Sequence, residues 1–237
     1  MSDYRANRIS VFAGPSLAGW VATPPFERLP PAGAGDMLAL LAGPPHTVVL
    51  IDGVFGSRPA VWHKEILLLL ARGFRVIGAA SMGALRAAEL DRFGMIGCGA
   101  IYRAYADGRL TADDEVAVLH APAALGGAPL SLAQVNVRAT LCRAVRAGII
   151  SADAARAIRA ASAAIHYRDR DWPMVSATCP VLAVWASINA IDIKAADARQ
   201  ALALAAHLAA EPPIARDSPP LTPFLARLAA AVAVDIA

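Results

Sequence analysis

The chain has 237 residues, of which 57% are hydrophobic, and its formal net charge of +3 is not concentrated in any basic block. This length suits one large domain or a domain with a helical extension, and the scattered charge gives no indication of nucleic-acid binding. Three cysteines without metal-ligand spacing argue against a disulfide framework or a metal site, and an amino terminus without an apolar core leads us to expect a cytoplasmic protein.

One segment is long and uncharged enough to be considered as a membrane span. The residues from Trp172 to Ile191 include no Asp, Glu, Lys or Arg. Pro173 and Pro180 interrupt the segment, however, and a helix that starts near Pro180 is too short to cross a bilayer. We therefore expect a buried helix here and no membrane partner.

The first part of the chain alternates between strand and helix patterns. Short apolar runs rich in β-branched residues predict strands, and Gly and Pro punctuate them. Residues 24–35, rich in Pro and Gly, predict a loop. The predicted strands are 8–13, 47–51 and 74–79, and the predicted helices are 36–41, capped by Asp36, and 58–72, starting at Ser57 or Arg58. This alternation predicts an α/β fold with a small, mainly parallel sheet of three or four strands flanked by helices.

The second part of the chain reads as helical. Before it, residues 94–99 predict a flexible loop, and residues 113–120 predict a strand in preference to a helix, after a solvated acidic turn. The predicted helices are 132–147, 151–167, 181–191, 193–210 and 222–234. We therefore divide the chain into an α/β core, 1–125, that carries the site, and an α-helical region, 126–237, packed on it as one globular unit.

A serine between a buried strand and a helix is the strongest chemical signal. Ala79-Ala80-Ser81-Met82-Gly83 has the small-x-Ser-x-Gly pattern of a turn that exposes a nucleophile. The helix that follows offers free N–H groups of Met82 and Gly83 to a developing oxyanion. A serine that only caps the helix is the alternative interpretation.

A nucleophilic Ser81 needs a base, and Lys64 is one candidate. It is one of only two lysines in the chain, because nearly all the basic residues are arginines. Helical spacing places it beside Val61 and Leu68, where partial desolvation favours the neutral amine that a Ser–Lys pair requires. A lysine whose stem packs on the core while its head reaches water fits the same pattern.

A histidine is the other candidate. His120, together with Asp52 or Asp113, would complete a conventional triad with Ser81, and the residue spacing leaves this possibility open. Cys98, which lies between two glycines, is interpreted as a small packed residue without a catalytic role.

Several motifs occur in order along the first two thirds of the chain. They are Phe12-x-Gly14-Pro15-Ser16-Leu17, Asp52-Gly53-x-Phe55, Val61-Trp62-His63-Lys64-Glu65-Ile66-Leu67, Gly78 to Leu90, Gly94-Met95-x-Gly97-x-Gly99-x-Ile101, Tyr105-x-x-Gly108 and Asp113 to Val118. Together they resemble the TfuA family. The resemblance extends over roughly residues 8–172, and its part from 50 to 120 is highly specific.

The resemblance implies a partner of YcaO enzymes, which activate a peptide backbone amide so that sulfur replaces its oxygen. It implies a hydrolase that releases sulfide from the C-terminal thiocarboxylate of a ThiS-like sulfur carrier, and that helps the YcaO enzyme to engage its precursor peptide. No cofactor is implied. By motif position, the Ser–Lys pair of the family falls on Ser81 and Lys64.

Around that pair, we assign Met82 and Gly83 to the oxyanion site and Asp52, Gly53 and Arg86 to its support. Arg86 either attracts the anionic terminus of the carrier or pairs with Glu89 or Asp52. The competing hypotheses are a non-catalytic adaptor that binds the YcaO enzyme and its peptide, and a general α/β serine hydrolase.

Overall fold

A five-stranded parallel sheet forms the centre of the computed structural model, which describes residues 8–56, 58–209, 211, 214 and 216–236. The strand order is β2-β1-β3-β4-β5, and every neighbouring pair is parallel. The strands are β1 (Ile9–Phe12), β2 (Phe26–Leu29), β3 (Thr47–Leu50), β4 (Arg75–Ala79) and β5 (Ile96–Cys98). The predicted α/β class and the three predicted strands are confirmed.

The sheet has more strands than the three or four predicted, because two short ones were predicted as loops. β2 lies within the segment 24–35 and β5 within 94–99. Both are edge strands of four residues or fewer, next to Pro or Gly. Such strands give too short a pattern to be separated from turns, and prolines are tolerated at edges because one side of the strand needs no ladder bonds.

The helices cover both faces of the sheet and continue into the second half of the chain. They are α1 (His63–Ala71), α2 (Met82–Leu90), α3 (Gly99–Ala106), α4 (Gln134–Arg146), α5 (Ala152–Ala163), α6 (Trp172–Val175), α7 (Pro180–Asn189), α8 (Ile193–Leu208) and α9 (Pro223–Ala231). The predicted helices of the second half are confirmed, with ends that differ by at most four residues.

Two of the helix predictions near the amino terminus were inaccurate. In place of the helix 36–41 there is a 3-10 turn, Leu38–Ala42, and the carboxylate of Asp36 accepts the N–H of Gly33 instead of capping it. The next helix, α1, begins only at His63, and Ser57, a predicted start, lies outside the described residues.

Residues 113–120 form no strand. Asp113–Glu115 is a 3-10 turn, and irregular chain follows it. The turn is not simply solvated, because Glu115 is buried and its carboxylate accepts two hydrogen bonds from Arg138 of α4, one of them at 2.9 Å. An ion pair between a core turn and a helix of the second half thus fixes this segment.

The two faces of the sheet are covered by different parts of the chain. On one face, Ala198, Ala201 and Ala205 of α8 pack with Val11 and Ile77 of the strands. α1 packs on the other face, where its apolar residues join a second core cluster. The helical region therefore supplies one of the two layers that enclose the sheet.

The uncharged segment near residue 180 contains a short helix that is exposed at Val184 and Ile188, so the expectation of a buried helix was wrong. α7 occupies only Pro180–Asn189, as expected from its proline. Within the described ranges, no helix combines the length and the apolar character that a bilayer requires.

Buried Glu65 in α1 is expected to make folding stability depend on pH. Its carboxylate accepts the N–H groups of Trp62 (3.1 Å) and Gly35 (2.9 Å), and burial raises its pKa to about 7. The stability that this shift contributes is complete below the unfolded pKa, near 4.5, and is lost as the pH rises to about 7. Relative to Glu65→Gln, the free energy of unfolding of the wild type should therefore fall across this range and then stay level, as denaturant titrations at several pH values would reveal. A constant difference would contradict this.

Candidate functional site

The loops that follow β1, β3 and β4 meet at one edge of the sheet around a small cavity. This is the carboxyl edge, where parallel α/β sheets bind their ligands. The cavity, called the Ser81 cavity below, has a volume of about 80 Å³. It is lined by Pro15, Asp52, Gly53, Val54, Phe55, Ser81, Met82, Leu85, Asp113, Val116, Ala117, Val118, His120 and Lys194.

Ser81 lies on a strained turn between β4 and α2. The N–H of Ser81 donates to the carbonyl of Ala79 (2.7 Å), and Ala80 between them has φ +65°, which L-residues rarely adopt. Although Ser81 is the N-cap residue of α2, its side chain makes no capping hydrogen bond. The hydroxyl donates instead, at 3.5 Å, to the carbonyl oxygen of Val116 in the cavity wall. The geometry therefore does not fit a serine that merely caps the helix.

Lys194, near the start of α8, lies at the same carbonyl. Its Nζ donates to Val116 O at 2.6 Å, and its side chain is almost completely buried. Because one oxygen lies at bonding distance from both groups, Ser81 Oγ and Lys194 Nζ are no farther apart than the sum of the two distances. Burial lowers the pKa of Lys194, opposed by the charges of Asp52 and Asp192. The net effect of this environment is to favour the neutral amine relative to an exposed lysine.

The segments that present Lys194 and Val116 are held by polar contacts from α4. Asn136 accepts the N–H groups of Ile193 (3.1 Å) and Lys194 (3.3 Å), and it donates to Asp192, the N-cap of α8. The Glu115–Arg138 pair fixes the residue before Val116. The two segments of the cavity lining that carry Lys194 and Val116 are thus both held by α4.

Asp52 organises the loop after β1. Its Oδ2 accepts the N–H groups of Gly14 (2.8 Å) and Ser16 (3.0 Å), and its Oδ1 accepts the hydroxyl of Ser16 (2.7 Å). Since Asp52 is buried, its negative charge acts directly on Lys194. Asp52 therefore ties the loop after β1 to the cavity, and its supporting role in catalysis stays a prediction.

Two N–H groups at the cavity have no acceptor within the described part of the chain. They belong to Met82, at the start of α2, and to Gly53, which follows β3, and both residues line the cavity. Gly83 is different, because its N–H donates to the carbonyl of Ile51 (3.2 Å). Met82 and Gly53, but not Gly83, thus keep an N–H group that no described acceptor occupies.

Lys64 lies elsewhere. It is not among the residues that line the Ser81 cavity, and its Nζ donates to the carbonyl of Pro220 (3.3 Å). The structure therefore does not bring the predicted pair, Ser81 and Lys64, together in this cavity.

Arg86 also lies outside the cavity lining. It donates to the carbonyl of Val61 (2.9 Å) and to Glu89 (2.7 Å), so the predicted pairing with Glu89 is present. His120 lines the cavity, but its Nδ1 lies 2.9 Å from the carbonyl of Ala121 and no carboxylate orients its ring among the described contacts. Cys98, the last residue of β5, is buried in the core, as interpreted from sequence.

Among the described residues, no three His, Cys, Asp or Glu side chains are grouped so that they could hold a metal ion. What the cavity offers is a serine hydroxyl, a buried amine and free backbone N–H groups. This set of groups is suited to acyl transfer.

The family model of TfuA-like proteins matches residues 52–171, about half of the chain. The chain belongs to the TfuA-like family. The motif-based resemblance is thus confirmed, and it associates the protein with YcaO-dependent thioamidation systems. No curated protein matches the chain.

The TfuA-like match includes Ser81 and Asp52 but ends before Lys194. Sequence reasoning did not propose Lys194 as a site residue, although one signal was available. Lys194 is the other of the only two lysines in the chain. Whether Lys64 or Lys194 lies near Ser81 depends on how α8 packs against the sheet, which the local sequence does not determine.

Proposed function

We propose that this TfuA-like protein is an accessory hydrolase of YcaO-dependent peptide thioamidation. It would release sulfide from the C-terminal thiocarboxylate of a ThiS-type carrier, with Ser81 as nucleophile and Lys194 as base. The observation that carries the proposal is that Ser81 Oγ and Lys194 Nζ both donate to Val116 O in one cavity at the carboxyl edge of the sheet.

In the first half of the reaction, neutral Lys194 removes the proton of Ser81 Oγ as this oxygen attacks the carbonyl carbon of the thiocarboxylate. Free N–H groups of Met82 and Gly53 stabilise the negative oxygen of the tetrahedral intermediate. The carbon–sulfur bond then breaks. Lys194 passes its proton to the departing sulfur, which leaves as hydrosulfide, and an acyl group remains on Ser81.

In the second half, a water molecule attacks the acyl-serine and gives its proton to Lys194. The carbon–oxygen bond to Ser81 breaks as Lys194 returns this proton to Ser81 Oγ. The carrier acid then releases the second proton of the water to solvent and leaves as a carboxylate. Next to the Ser81 cavity, a second cavity of about 170 Å³ shares Pro15, Val118 and Lys194 with it. Water therefore has space beside Lys194.

The proposal assigns the base to Lys194 and not to Lys64. A general base must lie within hydrogen-bonding reach of the proton that it removes. Lys194 Nζ and Ser81 Oγ lie at the same carbonyl oxygen, so the amine reaches the hydroxyl once either group turns away from Val116 O, whereas Lys64 contacts Pro220. The buried position of Lys194 also favours its neutral form, which is the form that accepts a proton.

Mass spectrometry of a thiocarboxylated ThiS-type carrier tests this function. The wild type should convert thiocarboxylate to carboxylate and release sulfide, and Ser81→Ala should not exceed the rate without protein. If folded wild-type protein does not accelerate the conversion, yet a YcaO enzyme still needs it for thioamidation, the hydrolase is refuted and the adaptor is supported. A His120→Ala variant with the activity of Ser81→Ala would instead support a histidine-based hydrolase.

Replacing Gly53 with Ala should lower the hydrolysis rate by about 10- to 100-fold, near the range for a lost oxyanion donor. A Cβ on Gly53 would lie 2.7 Å from Met82 Cγ and 2.8 Å from Met82 Cβ, so the two free N–H groups would have to separate. Gly43→Ala is the control, because its nearest atom would lie at 3.7 Å. Steady-state rates with the carrier provide the measurement, and equal rates for both variants would contradict this oxyanion site.

A further inference from the structure

A groove separate from the Ser81 cavity is bounded by α3, α4 and the start of α8. It has a volume of about 520 Å³ and shares no lining residue with the Ser81 cavity. Its apolar lining includes Ile101, Leu110, Val135 and Ile193, which also belong to or pack against one core cluster. Apolar side chains of a ligand would find a preformed surface there.

Three arginines, and no carboxylate, complete the lining of this groove, which we call the arginine groove. Arg138 pairs with Glu115 and Arg109 with Asp107. Arg159 also lines the groove, and its guanidinium has no hydrogen bond or ion pair within the described ranges. An anionic group would therefore find an unsatisfied donor at this rim.

The helices around the groove add to its positive charge. α4 carries three arginines and no carboxylate, and α5 carries two arginines against Asp153, which pairs with Arg156. The whole chain has a net charge of only +3, so the positive charge of α4 and α5 is a local concentration. The arginines of α4 and α5 therefore favour a ligand with negative charges at this groove.

We infer that the arginine groove binds an acidic amphipathic peptide segment of a partner protein, with apolar side chains on the groove floor and carboxylates at Arg159 and its neighbours. Charge complementarity and the apolar floor together select this occupant. A nucleic-acid backbone would leave the apolar floor uncovered. A membrane surface would not enter a concave groove between helices.

Cys142, which lines the groove and is exposed, reports whether the groove is occupied. The other two cysteines, Cys98 and Cys179, do not line it. Alkylation of Cys142 is followed by peptide mapping in the presence of two synthetic peptides. The first combines Leu at helical spacing with Glu, and the second has Gln at every Glu position. The Glu peptide should slow alkylation of Cys142 at least about fivefold, and added salt should reduce this protection.

Arg159→Glu should abolish the protection. The matched control is Arg156→Glu on the same helix, which changes the charge equally but does not line the groove, and it should keep most of the protection. Equal protection by the Gln peptide, full protection of Arg159→Glu, or no protection by either peptide would overturn the inference. So would protection of Cys142 by anionic lipid vesicles or an oligonucleotide in place of the peptide.

Discussion

Replacing Lys194 with methionine is expected to lower the rate of thiocarboxylate hydrolysis by about 10²- to 10⁴-fold, the usual contribution of a positioned general base. Methionine retains much of the volume of the lysine stem, so the packing at the start of α8 is disturbed least. The change removes the amine that lies 2.6 Å from Val116 O. The measurement is the steady-state rate with a thiocarboxylated carrier, for variants shown by circular dichroism to be folded.

Lys64→Met is the matched control, because it removes the only other lysine in the chain. Its rate should stay within about twofold of the wild type, since Lys64 contacts Pro220 and does not line the Ser81 cavity. If Lys64→Met is inactive and Lys194→Met is active, the assignment of Lys194 as the base is wrong. The result would then support the Ser81–Lys64 pair that motif position predicts.

The same amine should determine the pH dependence of the rate. Burial lowers the pKa of Lys194 from the ordinary value of 10.5, and only the neutral amine accepts the proton of Ser81. The wild-type rate should therefore rise with pH and reach a plateau below the pH at which an exposed lysine would titrate. A rate that keeps rising through pH 10.5 would indicate a base in an ordinary, solvated environment.

Gly83→Ala is expected to lower the free energy of unfolding by at least about 4 kcal/mol, or to prevent folding. A Cβ at this position would lie 1.7 Å from the carbonyl oxygen of Leu50, which belongs to strand β3 and cannot turn away. The tight contact continues on the strand side, where a Cβ on Gly78 would lie 2.2 Å from Gly83 O. α2 can approach the sheet this closely only because both positions are glycine.

Urea titrations of Gly83→Ala and of the control Gly43→Ala measure this effect. Gly43 has φ −116°, which any residue adopts, and no neighbour closer than 3.7 Å to an added Cβ, so its substitution should change stability by less than about 1 kcal/mol. Equal stability of the two variants would mean that α2 does not pack on β3 as described. The loss of stability in Gly83→Ala tests the packing of the strand, turn and helix that present Ser81, and the substitution changes no reacting group.

Much of the fold could be predicted because local patterns determine it. The apolar runs that became β1, β3 and β4 are long enough to be distinct, and the helix between β3 and β4 requires a parallel crossover. β2 and β5 were missed because an edge strand of three or four residues resembles a loop. The strand predicted near residue 113 failed because its apolar residues serve long-range contacts instead of a ladder.

For the candidate site too, some residues could be predicted from the sequence and others could not. Ser81 and Asp52 follow strands directly, so their meeting at the carboxyl edge follows from the topology. Lys194 lies on a helix more than a hundred residues farther along, and no local pattern indicates that α8 places its first turn at Val116. Gly83 was predicted as an oxyanion donor because its N–H lies at a helix start, and only the three-dimensional contact with Ile51 reveals that it is occupied.

The most direct test of the central claim is to identify the acylated residue after rapid quenching of the protein with its thiocarboxylated carrier. Digestion and mass spectrometry should locate the acyl group on the peptide that contains Ser81 in the wild type and in Lys64→Met, and should find none in Lys194→Met. Sulfide release without any adduct at Ser81, or an adduct that forms equally fast in Lys194→Met, would contradict a Ser81 nucleophile activated by Lys194.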